Sequence, residues 1–253
     1  MLCGNVIRLC GVNAAKRRQT SFLCLRMFFA SIASPATLRA GFGEDRFILG
    51  CTMQFGPSVG LVDAERIGTD VSPYWEYGES RRFKEAPGIP NVCRNIINHR
   101  YMHRRLWIND PDVHIARRDN NRLTEDEIRL WTSALWLVGG LTLLTDRFAT
   151  LDPDRAALSR LLLEKADAFD DVRPLDFFER EYPSVWAGHR DGKAVIGCFN
   201  FEDAETVRTV SPARAGAGSG RFRDYWTGMI FETEGDLLAV TVPPHCCRLL
   251  FEL

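Results

Sequence analysis

The chain has 253 residues, 45% of them hydrophobic and 26% charged, a mix that suits a folded globular protein and excludes wholesale disorder. Lys plus Arg number 32 against 33 Asp plus Glu, a net charge of −1, so the basic excess of a dedicated nucleic-acid binder or a polybasic membrane-surface protein is missing. No apolar run is long enough to span a bilayer; the best candidate, from Leu135 to Leu144, is short and holds two glycines. The 8 cysteines show no C-x-x-C pairing or metal-type spacing, and there is no N-x-S/T sequon, which reads as reduced thiols in a cytoplasmic protein.

Residues 1–37 form an atypical leader. They hold three cysteines, the Lys16-Arg17-Arg18 cluster and the apolar stretch Phe22 to Ala36. An export signal would fit the basic residues and the small residues around Ala33-Ser34-Pro35-Ala36, with cleavage near Ala36, but Arg26 interrupts its apolar stretch. Residues 38–172 then alternate strand and helix patterns. Strands are predicted over Phe47 to Thr52, Glu65 to Val71, Leu106 to Asn109 and Leu141 to Thr145. A helical stretch over 84–103 is interrupted early by Pro87 and Pro90. The strongest helix starts at Thr124, where Thr124 and Glu127 have capping-box spacing. Its apolar face continues to Val138, and Gly139-Gly140 stops it. A last helix is predicted from Leu151 to Phe169.

From 173 onward the pattern changes to short strands separated by Gly, Asp and Pro turns: Val185–Gly188, Ala194–Asn200, Glu205–Val210, Phe222–Trp226, Leu237–Val242 and Cys247–Phe251. This is the signature of a small antiparallel β-sandwich. Strand alternating with helix in 38–172 implies parallel strands, and four of them make about half of a (β/α)8 barrel, which typically needs about 250 residues.

Barrels place functional residues at the C-terminal ends of strands. Those ends carry Cys51-Thr52, Arg66 with Asp70, Asn109-Asp110-Pro111-Asp112, and Thr145-Asp146-Arg147. Carboxylates at three successive strand ends suit acid/base work or cation binding; the same residues also make ordinary turns and caps.

These segments resemble the later barrel strands of melibiase-type α-galactosidases, the clan-D retaining glycoside hydrolases (family 36-like). The resemblance rests on Gly50-Cys51, the run Gly56-Pro57-Ser58-Val59-Gly60-Leu61-Val62-Asp63, Arg66-Ile67-Gly68-Thr69-Asp70-Val71, and Trp107-Ile108-Asn109-Asp110-Pro111-Asp112, which matches that clan's W-x-N-D-P-D motif. Tyr225-Trp226-Thr227-Gly228 and Val242-Pro243-Pro244-His245 resemble its closing sandwich. The resemblance runs over about residues 38–253 and implies the C-terminal half of a TIM-type barrel followed by a β-sandwich. It implies a retaining mechanism on terminal α-linked sugars. Asp70 would be the acid/base, partly buried so that it stays protonated before cleavage. Arg66 and Asp112 would hold sugar hydroxyls, with Cys51, Thr52 and Trp107 lining the pocket. No metal and no cofactor are implied, and the partner is a carbohydrate rather than nucleic acid or membrane.

The sequence also departs from the family. The nucleophile expected there is an aspartate in a K-x-D-F-like strand end, one strand before Phe47 to Cys51, and residues 1–37 hold nothing like it. Met53 and Gln54 stand where a small residue or Cys and then Pro are expected, so α-galactoside is not assured as the sugar. The expectation is a truncated or frame-disrupted chain, inactive alone, that needs a missing N-terminal half or associates with itself through open barrel edges. The rival expectation is a non-catalytic sugar-binding or interaction remnant. Three further features are read as structural. His99 and His103 have a metal-compatible spacing but would lie on a solvated helix face. Arg94, Arg100, Arg104 and Arg105 would lie on the barrel exterior, and Ala215–Gly220 would be a flexible hairpin loop rather than a phosphate cradle.

Overall fold

The computed structural model of the protein describes residues 7–8, 23–26, 35–51, 53–76, 83 and 86–253. Two short strands, β1 (Ile7–Arg8) and β2 (Leu23–Arg26), precede helix α1 (Pro35–Phe42). Then follow β3 (Ile48–Cys51), the single turn α2 (Phe55–Ser58), β4 (Ala64–Arg66), α3 (Ile89–Asn98), β5 (Ile108–Asp110), β6 (Val113–His114), α4 (Glu125–Val138), β7 (Leu143–Leu144) and α5 (Pro153–Glu164). The remainder is strand-rich: β8 (Asp170–Pro174), β9 (Val185–Arg190), β10 (Lys193–Phe199), β11 (Thr206–Val210), the short α6 (Pro212–Ala215), β12 (Arg221–Asp224), β13 (Ile230–Glu232), β14 (Leu238–Val242) and β15 (Cys247–Glu252).

The alternating pattern yields parallel pairing, as expected of strands joined by helical crossovers. β2, β3, β4 and β5 form a parallel sheet in that order. β6 and β7 pair in parallel, and β1 lies antiparallel on β7. Two links hold β5 to the segment before β7: Leu141 N–H donates to the Asn109 carbonyl at 2.8 Å, and the bare α-carbon of Gly140 (φ 104°) lets the chains approach so closely that any side chain would meet that carbonyl.

Several boundaries differ from expectation, each for a local reason. The second strand ends at Arg66 rather than Val71, because the Val71 amide donates to the Asp112 carboxylate, not to a neighbouring strand. The 84–103 helix begins only at Ile89, with Pro90 in its first turn, where a missing N–H costs nothing. The last helix stops at Glu164, not Phe169. Asp167 has a left-handed backbone (φ 50°), and its carboxylate accepts from Gly140 N–H, His103 and Arg104. Phe169 then leads into β8, a strand the periodicity missed, as it missed the two-residue β6. Most of residues 1–37 lie outside the described residues; within them, β2 pairs with β3 in parallel, so a strand does precede Phe47 to Cys51.

The antiparallel region is two sheets. Six strands run in the order β13-β12-β15-β10-β9-β8, and β11 pairs with β14. One face of the larger sheet (Val185, Ala187, Ile196, Cys198, Leu250) packs on Val210, Leu238, Val240 and Val242 of the smaller. Its other face (Trp186, Val195, Phe199, Leu249) packs on α3 and α4 through Ile96, Trp131, Ala134 and Val138. Being covered on both faces, β10 is buried over all but its first residue. Ala215–Gly220 is not a hairpin: it carries the chain from β11 in one sheet to β12 in the other. Cys246 and Cys247 are buried in these two cores, as strand packing predicts.

Helix α4 joins the two regions. Thr124 Oγ1 accepts from Glu127 N–H, and Glu127 Oε2 accepts from Thr124 N–H at 2.7 Å, which completes the capping box. The other Glu127 oxygen lies 2.8 Å from His245 Nδ1, His245 Nε2 lies 2.9 Å from Asp203, and the imidazole stacks on Trp75 at 4.2 Å. His245 therefore ties the start of α4 to the strand-rich region. Thr124→Ala should cost about 1 kcal/mol, the worth of a typical cap. Glu127→Ala should cost clearly more in urea unfolding, because it also strands His245; equal losses in the two variants would show that the seam contributes nothing.

Candidate active site

The strand ends converge on one guanidinium. Arg66, the last residue of β4, donates from Nε to Asp110 Oδ2 at 2.8 Å; its Nη2 lies 2.8 Å from Asp112 Oδ1, and its Nη1 3.2 Å from Asp70 Oδ1. Parallel register places Arg66 beside Asp110 on the next strand, and the turn after β5 swings Asp112 back over it. Burial by itself disfavours the Arg66 charge, yet Asp110 and Asp112 outweigh that, so its pKa is raised and it stays cationic. Burial pushes the Asp112 carboxyl up to about 6; Arg66 pulls it down, Asp110 pushes it up, and the Val71 N–H again favours the anion.

All the predicted site residues but Thr52 have a definite place. Asp110 and Asp112 are buried, while the Asp70 side chain is only half covered, with 52% of it exposed. The reason is position: Asp70 stands four residues beyond Arg66, on the loop that rims the sheet. Cys51 is buried at the end of β3, near enough to Arg66 to act on its charge. Thr52 lies outside the described residues. Trp107 packs with Ile48, Val62 and Met102 and against Phe55 at 5.5 Å, in the core rather than beside the arginine. Asp146, just past β7, is absorbed by the segment that follows β6, accepting from the Ala116 and Arg117 amides and from the Arg117 guanidinium.

The residues read as structural turn out to be engaged internally. His99 Nδ1 donates to the Ile67 carbonyl at 2.8 Å. His103 is buried, not solvated: Asn109 N–H donates to its Nδ1, so its Nε2–H faces Asp167 at 3.2 Å. Arg94 pairs with Glu181 and Arg104 with Asp167. The glycine-rich loop is an anion cradle after all, but for its own chain: Gly218 and Ser219 amides donate to Glu252 Oε1 at 2.7 and 2.6 Å.

Glu65 went unnoticed in the sequence. It lies on the strand beside Arg66 with no accessible surface, opposite Gly50, whose absent side chain leaves room for the carboxyl. Neither oxygen has a partner in hydrogen-bond geometry among the described residues. Burial raises its pKa to about 7; the Met53 amide lowers it, Asp110 raises it and Arg66 lowers it. The signal available beforehand was a glutamate one position out of phase with the polar strand ends, directly before Arg66.

No family model matches the chain. Among solved structures it is similar to α-galactosidase I from Mortierella vinacea, with 13% identity over 86% of this chain and 60% of that one and a TM-score of 0.62. It is also similar to a family-27 β-L-arabinopyranosidase from Geobacillus stearothermophilus, with 15% identity over 87% of this chain and 53% of that one and a TM-score of 0.65. A third is the α-galactosidase of Saccharomyces cerevisiae solved with raffinose, with 14% identity over 86% of this chain and 66% of that one and a TM-score of 0.60. The chain thus has the α-galactosidase-type glycoside hydrolase fold, and it spans between 53% and 66% of the length of these three structures.

A carboxyl whose folded pKa of about 7 exceeds its unfolded 4.5 favours folding at low pH and loses that advantage as pH rises between the two values. The Glu65 contribution to stability in urea unfolding should therefore fall from about pH 4.5 to about pH 7, against the buried His114, whose pKa lowered to about 4 makes stability rise with pH over much of that window; Glu65→Gln should gain stability relative to the wild type as pH rises through it. An unchanged slope in the variant would mean that Glu65 ionises freely.

Proposed function

We propose that the chain is the C-terminal half of an α-galactosidase-like retaining glycoside hydrolase acting on terminal α-linked sugars. In this reading residues 38–172 are part of a (β/α)8 barrel, residues 173–253 are its β-sandwich, and residues 1–37 are an atypical leader. The observation that carries the proposal is Arg66 clasped by Asp70, Asp110 and Asp112 at the C-terminal ends of adjoining parallel strands, within a fold of this type. Arg66 and Asp112 would bind sugar hydroxyls, since a fork of N–H donors beside carboxylate acceptors matches vicinal hydroxyls. Asp70, on the exposed rim, would protonate the leaving oxygen. Cys51 and Thr52 would line the pocket. The chemistry needs no metal or cofactor.

A retaining mechanism also needs a second carboxylate, about 5–5.5 Å from the first, to attack the anomeric carbon. The strand pairing with β3 on the expected side is β2, whose residues Leu23-Cys24-Leu25-Arg26 include no carboxylate. That observation favours a second reading for the chain on its own: a sugar-binding or interaction remnant that turns nothing over until an N-terminal half supplies the nucleophile, or that self-associates through its sheet edges. Among the described residues no helix is long and apolar enough to cross a membrane. Cys93, Cys198, Cys246 and Cys247 are buried free thiols, which suits a cytoplasmic setting.

Hydrolysis of p-nitrophenyl α-D-galactopyranoside and galactose binding by calorimetry separate these readings. Turnover that falls about 10²–10⁴-fold in Asp70→Asn supports the enzyme. Binding that is weakened in Arg66→Lys, without turnover, supports the remnant. Failure to bind any of galactose, arabinose or their aryl glycosides sinks both.

A further inference from the structure

We infer that Asp110 is the positioning residue of the sugar site: one buried carboxylate sets the orientation of both Arg66 and Asp112. Its side chain has no exposed surface, so it does not touch substrate. Its two oxygens hold different partners. Oδ2 accepts from Arg66 Nε–H at 2.8 Å, and Oδ1 accepts from the Asp112 backbone N–H at 2.9 Å.

Both contacts constrain groups that would otherwise wander. The Nε bond fixes the plane of the guanidinium, leaving Nη1 and Nη2 toward Asp70 and Asp112. The amide bond holds Asp112 in a left-handed backbone with φ 81°, a conformation a non-glycine residue keeps only where its surroundings impose it. Only in that turn does Asp112 reach back to Arg66 and to the Val71 amide at 2.6 Å. The division of labour needs both oxygens to be acceptors. An asparagine of the same shape offers one acceptor and turns an NH2 toward the other N–H donor, so it keeps the packing and breaks one contact.

This inference rests on the sugar-site reading, and its test separates the two. In 15N spectra of the full chain, the Arg66 Nε–H, identified by its disappearance in Arg66→Lys, and the Asp112 amide should both exchange slowly with solvent. Asp110→Asn should unfold cooperatively, lose the protection of one of these two groups, and bind galactose about 10- to 100-fold more weakly, the usual cost of a mispositioned site. If Asp110→Asn does not fold, Arg66→Lys still decides. Asp112 amide protection should survive there, because Asp110 Oδ1 holds it without the arginine. Fast exchange of either group in the wild type, loss of the Asp112 protection in Arg66→Lys, or wild-type affinity in a folded Asp110→Asn overturns the inference. If the wild type binds no galactose, the sugar reading fails and the exchange of the two N–H groups alone decides the role of Asp110.

Discussion

A guanidinium buried at the end of a parallel strand must be neutralised where it stands, and this constraint organises the site. Arg66 is nearly covered, and removing either partner of such a pair typically costs about 3–5 kcal/mol. Asp110 comes from the adjoining strand, Asp112 from the turn beyond it, and Asp70 from the loop that follows Arg66 itself. Satisfying the cation thus fixes the register of β4 on β5, a strained turn, and the course of the 67–71 loop. The cluster carries three carboxylates to one arginine, which leaves it negative and rich in acceptors. A polyol is a natural counterpart, because its hydroxyls can donate to these oxygens and accept from the guanidinium.

The strand-rich region is not an appendage to this site. Its larger sheet supplies the wall on which α3 and α4 pack, through Trp186, Phe199 and Leu249. The seam is completed by His245, whose ring stacks on Trp75 while its nitrogens face Glu127 and Asp203. The helices that cover the parallel strands are therefore held by the antiparallel region, and the shared core explains why both faces of β9 and β10 are apolar.

Several carboxylates, the strand-end Asp146 among them, serve the backbone rather than a site. Asp146 closes the loop at Ala116, Asp167 secures Gly140 and His103, Asp176 receives the amides of Ser184 and Val185, and Glu252 fills the glycine-rich cradle. All of them satisfy N–H groups that loops would otherwise bury unpaired. What distinguishes Asp70, Asp110 and Asp112 is convergence on a side-chain cation at strand ends. Glu65 is the opposite case, a carboxyl whose burial outweighs the help of Arg66 and the Met53 amide and favours its neutral form, and whose room comes from Gly50.

By itself the sequence determined what local rules govern. The capping box at Thr124 and Glu127, the stop at Gly139, the alternation of strand and helix before 170 and the short strands after it all follow from periodicity and from backbone groups satisfied within a few residues. The candidates Arg66, Asp70 and Asp112 were also legible, through their places at strand ends and the family resemblance of the segments around them. What only the tertiary structure decided depends on partners distant in sequence: the early end of the second strand, the stop of α5 at Glu164, the pairing of β2 with β3, the burial of His103 and Trp107, the exposure of Asp70, and the two-handed role of Asp110. Hydrogen bonds and ion pairs between residues 40 or more positions apart leave no periodic trace in the chain, so they become readable only when the sheet sets Arg66 beside Asp110.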